Sequence, residues 1–64
     1  MKELLEKIVG LNMVEASKLV RERGCFFRVM NKNGEDLSGS DDFVDTRINV
    51  RVDNNEVTKV INIG

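Results

Sequence analysis

The sequence predicts an α+β domain in which one main helix packs on a small mixed β-sheet. Three observations favour this class: helical apolar spacing over 13–23, aromatic and branched residues over 25–31, and strict alternation over Arg47–Asp53. The two strand segments are expected to run parallel, with a long exposed loop between them. The 64 residues fit a single domain, 1–64, near the lower size limit for folding without disulfides or metal.

The main helix is predicted over 13–23. It begins after Asn12, whose side chain can accept a hydrogen bond from the amide three residues on, and it ends before Gly24, where a helix C-terminal glycine is common. Apolar residues before Gly10 indicate a shorter amphipathic turn or helix. One face of the main helix is apolar and is formed by Met13, Ala16, Leu19 and Val20.

A third strand is predicted over 57–63, antiparallel to its predecessor through the turn at 53–56. Asn33-Gly34 is also a hairpin signal, but the residues after it are poor strand formers, so we expect 33–46 to lie outside the sheet or to pair only briefly. The helix is expected to cover one face of the strands, with Ala16, Leu19 and Val20 against Phe27, Val29, Ile48, Val50 and Val52.

Composition excludes several classes of function. The sequence contains no histidine and one cysteine, Cys25, so it has no Ser-His-Asp or Cys-His catalytic set, no usual zinc site and no intramolecular disulfide. We expect no enzymatic activity, no cofactor and no metal. The charged N-terminal stretch lacks the apolar run of a signal peptide or membrane span, and a cytoplasmic location is expected.

The segment 35–46 is the best candidate for function. It carries five carboxylates and no basic residue, and long connections in compact domains are usually functional or disordered. The remaining positive charges are thinly spread and few aromatic residues accompany them, which argues against nucleic-acid binding.

Several short matches occur in a consistent order. Val9-Gly10, Asn12, Glu15-Ala16 and Lys18 are similar to the helix start Val-Gly-x-Ser-x-x-Glu-Ala-x-Lys. Arg47–Asp53 is similar to Arg-Leu-Asn-Val-x-Val-Asp, and Ile63-Gly64 to a Val-Gly ending. With these motifs the chain resembles the potato inhibitor I family of serine-protease inhibitors, which includes eglin, the barley chymotrypsin inhibitor and bacterial relatives. The resemblance implies a helix on a small mixed sheet, with an inhibitory loop between parallel strands.

The resemblance also implies an inhibitory loop at Ser40, Asp41, Asp42 and Phe43, in place of Thr-Met-Asp/Glu-Tyr around the scissile bond. Asp42 keeps the acidic residue after that bond and Phe43 keeps the aromatic one. Asp41 falls at the primary specificity position, where the family usually has a large apolar residue. A carboxylate is costly to bury in an apolar pocket, so the implied target is a protease with a basic pocket that cuts after Asp or Glu.

Loop support is implied at Arg47, at Asn49, which replaces a second arginine of plant and leech members, and at Gly64. Val44 departs from the usual arginine, the loop looks longer, and Gly39 adds flexibility. An alternative is therefore a non-inhibitory interaction module, whose acidic loop binds a basic surface of a partner. Both hypotheses predict a monomer with a protein partner and without nucleic acid or membrane.

Overall fold

The computed structural model describes residues 2–37 and 42–64. These residues form two helices and one four-stranded mixed sheet, which confirms the α+β class. The shorter turn or helix expected before Gly10 is a helix of seven residues, so the described residues form two helices rather than one main helix. The elements are α1 (Lys2–Ile8), α2 (Met13–Glu22), β1 (Phe26–Lys32), β2 (Glu35–Asp36), β3 (Arg47–Asp53) and β4 (Glu56–Ile63).

The second helix has the end signals that the sequence predicts. Asn12 Oδ1 accepts a hydrogen bond from the Glu15 amide at 2.9 Å. At the other end Gly24 has φ +74°, and its amide donates to the Arg21 carbonyl at 3.0 Å. In α1, Leu4 and Ile8 lie four residues apart and are both buried, so this helix contributes to the core.

The strand order is β2-β1-β3-β4, with β1 parallel to β3 and β3 antiparallel to β4. The predicted crossover is therefore confirmed. The β3–β4 turn contains Asn54 and Asn55, both with positive φ, as tight hairpins require.

The hairpin that the sequence reasoning disfavoured does form. Asn33 and Gly34 have φ +52° and +84°, and β2 pairs antiparallel with the end of β1. The turn geometry is sufficient because two exposed residues at a sheet edge need to supply only backbone hydrogen bonds. The hairpin lies on the edge of β1 away from β3, so it does not displace the parallel pair. The connection from β1 to β3 therefore begins with a strand, and residues 38–41 lie outside the described residues.

β4 departs from simple alternation. Its core-facing residues are spaced by three, and they pair with the core-facing residues of β3: Val57 with Val52, Val60 with Val50 and Ile63 with Ile48. Two irregularities in the β3–β4 ladder allow this spacing, because at each of them one β4 residue has no residue of β3 directly opposite it.

The core lies between the helices and one face of the sheet. Its fully or nearly buried apolar residues are Leu4, Ile8, Ala16, Val20, Ile48, Val50, Val52 and Val57. Ala16 and Val20 of α2 belong to the same buried cluster as Ile48, Val50 and Val52 of β3, as predicted, although Leu19, Phe27 and Val29 are only partly buried. Among residues 2–37 and 42–64, no helix has the length and apolar character needed to cross a membrane.

Candidate functional site

The candidate site lies on the sheet face opposite the helices, where β3 begins. Ile48, Val50 and Val52 face the core, so the alternation of β3 places Arg47 and Asn49 on the other face. The chain enters β3 through a tight turn, in which the Arg47 amide donates to the Val44 carbonyl at 3.1 Å. This turn brings residues 42 and 43 back toward the start of the strand.

Arg47 joins Asp42 to Gly64. Its Nε donates to the Gly64 carbonyl at 2.8 Å, and its Nη2 donates to the Asp42 carbonyl at 2.9 Å and lies 3.4 Å from Asp42 Oδ1. The Gly64 amide returns a hydrogen bond to the Arg47 carbonyl at 2.9 Å. The Arg47 side chain is only 14% exposed, whereas that of Asp42 is 57% exposed. A planar guanidinium with several fixed donors is well suited to hold two carbonyls at once.

Asn49 is 3% exposed, although it lies on the face away from the helices. Its Oδ1 accepts from Arg28 Nε at 2.8 Å, and its Nδ2 donates to Asn62 Oδ1 at 2.7 Å. A longer contact of 3.5 Å joins Nδ2 to the Gly64 carbonyl. The buried amide is thus satisfied, as buried polar groups generally are, by partners on the two neighbouring strands.

Phe43 is an exposed aromatic residue beside this support. The residue is 74% exposed, and the edge of its ring lies next to Gly64. Together, Asp42 and Phe43 present a carboxylate and a ring to solvent, while the backbone of Asp42 is tied to the sheet.

Five of the sequence-predicted site residues come together here: Asp42, Phe43, Arg47, Asn49 and Gly64. Ser40 and Asp41 lie outside the described residues. Sequence reasoning missed Arg28 and Asn62. The signal for Arg28 is a charged residue in the middle of an otherwise apolar run, 25–30, whose parallel pairing with β3 sets it opposite Asn49.

Asp53, at the far end of β3, has a carboxyl group with a lowered pKa. Hydrogen bonds from the Thr58 hydroxyl, at 2.6 Å, and from Arg51 Nε, at 3.0 Å, hold the pKa of Asp53 below its ordinary value of 3.8. This group stabilises the β3–β4 hairpin and is separate from the candidate site.

The arrangement holds the backbone of a segment whose side chains remain exposed. Arg47 on the sheet holds the Asp42 carbonyl, and the side chains of Asp42 and Phe43 lie largely in solvent. Comparison of the chain with protein-family models, with curated proteins and with solved structures found no match.

Proposed function

We propose that the protein is a serine-protease inhibitor that presents residues Ser40, Asp41, Asp42 and Phe43 as a substrate mimic. The observation that carries the proposal is the 2.9 Å hydrogen bond from Arg47 Nη2 to the Asp42 carbonyl. Asp42 directly follows the bond between Asp41 and Asp42, which the resemblance to the potato inhibitor I family implies to be the scissile one. The held carbonyl belongs to the next peptide bond, so hydrolysis between residues 41 and 42 leaves this contact intact.

This contact favours inhibition over turnover. An ordinary substrate is released after cleavage because the leaving peptide diffuses away. Here the new amino group on Asp42 stays tied through Arg47 to Gly64, and through the turn at Val44 to β3. A tethered group has a high effective concentration, which favours re-formation of the bond. A segment that is already ordered also loses less entropy on binding.

The acidic residues set the proposed specificity. Asp41 at the primary position would be unpaired in an apolar protease pocket, so the target class is a protease with a basic pocket that cuts after Asp or Glu. Asp42 and Phe43 are exposed on the other side of the bond. The inhibitor would act as a monomer without a cofactor, and the free thiol of Cys25 suits the cytoplasm.

A second candidate is a non-inhibitory module that binds a basic protein surface. It is favoured by the exposure of the carboxylates that flank the undescribed residues, namely Glu35, Asp36, Asp42 and Asp45. In this case any basic partner surface of matching shape would be bound, and no protease active site would be required.

The deciding experiment is an inhibition panel of serine proteases that cut after acidic, basic or apolar residues. The inhibition constant is measured with a small chromogenic substrate, and cleavage between residues 41 and 42 is followed by mass spectrometry. We expect inhibition confined to the enzymes that cut after acidic residues. If no protease is inhibited and a basic protein is bound instead, the interaction module is the correct function.

Arg47→Ala and Arg51→Ala form a matched pair for this panel. Both remove an arginine from the same strand and face, but Arg51 pairs with Asp53 and not with Asp42. We expect Arg47→Ala to weaken inhibition by about ten- to a hundredfold, because hydrogen bonds to charged groups are worth about 1.5–3 kcal/mol. Arg51→Ala is expected to inhibit as the wild type does, and equal effects of the two changes would contradict the proposal.

A further inference from the structure

Arg28 contacts the loop support from a neighbouring strand. It lies on β1 opposite Asn49 in the parallel ladder, and its Nε donates to Asn49 Oδ1 at 2.8 Å. The residue is half-buried and Asn49 is almost fully buried, so this charge-assisted hydrogen bond is sheltered from water.

The chemistry of the two groups fixes the orientation of the Asn49 amide. A guanidinium has donors and no acceptor, so Asn49 can bond to Arg28 only through Oδ1. Its Nδ2 must then face the other way, toward Asn62 Oδ1 at 2.7 Å and the Gly64 carbonyl at 3.5 Å. A reversed amide would set donor against donor at Arg28 and acceptor against acceptor at Gly64, so the buried Asn49 side chain would lose the hydrogen bonds that satisfy it.

The orientation of Asn49 matters for Arg47 because both side chains hold the end of β4. Asn62 lies opposite Asn49 in the ladder, and the Gly64 carbonyl accepts from Arg47 Nε. The position of Gly64 therefore helps to place the guanidinium whose other nitrogen holds the Asp42 carbonyl.

We propose that Arg28 is a positioning residue for the segment at Asp42 and Phe43, and that it acts through Asn49 and Gly64. Its effect on inhibition rests on the proposed function, whereas the ordering of Gly64 and Asp42 is a property of the free protein. Arg28 thus supplies from β1 a support that β3 and β4 do not provide by themselves.

The test on the free protein compares Arg28→Met with Arg51→Met by NMR. Each variant keeps a long unbranched side chain and removes one guanidinium group from the same face of the sheet. We expect Arg28→Met to speed hydrogen exchange of the Gly64 amide and of the Asn49 side-chain amide by about tenfold, which corresponds to 1.4 kcal/mol in the opening equilibrium. Exchange at the core positions Val50 and Val52 is expected to change far less, and Arg51→Met is expected to leave Gly64 and Asn49 unchanged.

Arg28→Lys provides a conservative variant. An ammonium retains the charge and a donor but loses the fixed fork, so exchange at Gly64 should fall between the wild type and Arg28→Met. If Arg28→Met does not fold, the test uses Arg28→Lys only. Faster hydrogen exchange of the Gly64 amide than in the wild type then supports the positioning role, and an exchange rate equal to that of the wild type overturns it. A uniform increase at all amides, core positions included, also overturns it, because that is the result of lower global stability.

The second arm uses a protease that cuts after acidic residues. With inhibitor and enzyme at fixed concentrations, Arg28→Met should be hydrolysed between residues 41 and 42 about tenfold faster than Arg51→Met. Equal hydrolysis, with faster local exchange in Arg28→Met, overturns the link from Arg28 to the loop. If the wild type inhibits no protease but Gly64 and Asn49 respond as expected, the proposed function fails while the positioning role of Arg28 stands.

Discussion

The ring edge of Phe43 lies beside Gly64. A Cβ placed on Gly64 would be 3.4 Å from Phe43 Cδ2 and 3.5 Å from Phe43 Cε2. These are ordinary van der Waals separations, and the absence of a side chain at Gly64 leaves the ring beside backbone atoms. Phe43 is nevertheless 74% exposed. Phe43 thus touches Gly64 at one ring edge while most of its surface stays exposed.

Phe43→Ala should separate binding from stability. Because the residue is mostly exposed, we expect the free energy of unfolding to change by no more than about 0.5 kcal/mol. Binding to the partner should weaken by about 2 kcal/mol or more, roughly thirtyfold, as for an aromatic anchor at an interface. Urea denaturation and an inhibition or binding constant measure the two quantities.

Val14→Ala is the control for this change, since Val14 is also an exposed apolar residue, at 70%, and lies on α2, on the other side of the sheet from Gly64. It should leave binding unchanged. Comparable losses of binding in both variants would show that Phe43 has no special part in recognition.

Asp41→Leu should create inhibition of subtilisin- or chymotrypsin-like proteases. The change removes a carboxylate whose burial in an apolar pocket costs about 3 kcal/mol, or about two decades in the inhibition constant. Asp45→Leu, an equally acidic position in the same connection, should give no such gain. If the Asp41→Leu protein is cleaved as a substrate or ignored by every such protease, the acidic interaction module becomes the better explanation.

Ile48→Ala should destabilise the protein more than Leu19→Ala, although both remove the same number of carbon atoms. Ile48 is fully buried between the sheet and the helices, whereas Leu19 is only partly buried. We expect Ile48→Ala to cost about 2–5 kcal/mol, against a total of about 3–10 kcal/mol for a domain of this size. Chemical denaturation monitored by circular dichroism gives both values, and an equal cost would mean that Leu19 is buried in solution.

Acid should destabilise the protein partly through Asp53. Its folded pKa lies below its ordinary value of 3.8, so its contribution to stability is complete above that value and is lost as the pH falls through the lower folded pKa. Asp53→Asn should therefore show a shallower loss of stability than the wild type below about pH 4. Thr58→Val, which removes the principal hydrogen bond, should flatten the profile in the same direction, and parallel profiles for all three proteins would contradict this account.

The sequence was most informative where local chemistry and burial agree. Arg47–Asp53 alternates strictly, so its bounds and its core-facing residues Ile48, Val50 and Val52 were predicted correctly, whereas the burial of Asn49 on the opposite face was not. The α2 helix ends one residue before the predicted position, at Glu22, with its predicted cap at Asn12. The parallel pairing was predicted because the residues after Gly34 are poor strand formers, so the connection was expected to be a crossover.

Other features depend on contacts that no local pattern encodes. The spacing of Val57, Val60 and Ile63 requires irregular pairing with β3, which a period of two does not predict. The hairpin at Asn33 was undervalued because strand propensity matters little for two exposed residues. Arg28 was missed because its role depends on a partner 21 residues away, on another strand.

The core is formed by residues from both sides of the bond between residues 41 and 42, and this has a consequence for a chain cut at that bond. Of the eight buried apolar residues in the described part of the chain, Leu4, Ile8, Ala16 and Val20 would fall in one fragment, and Ile48, Val50, Val52 and Val57 in the other. Neither fragment has a core of its own, so each would need the other as a template for folding. The nicked protein would then be a two-chain complex, whose persistence depends on dilution as well as on temperature.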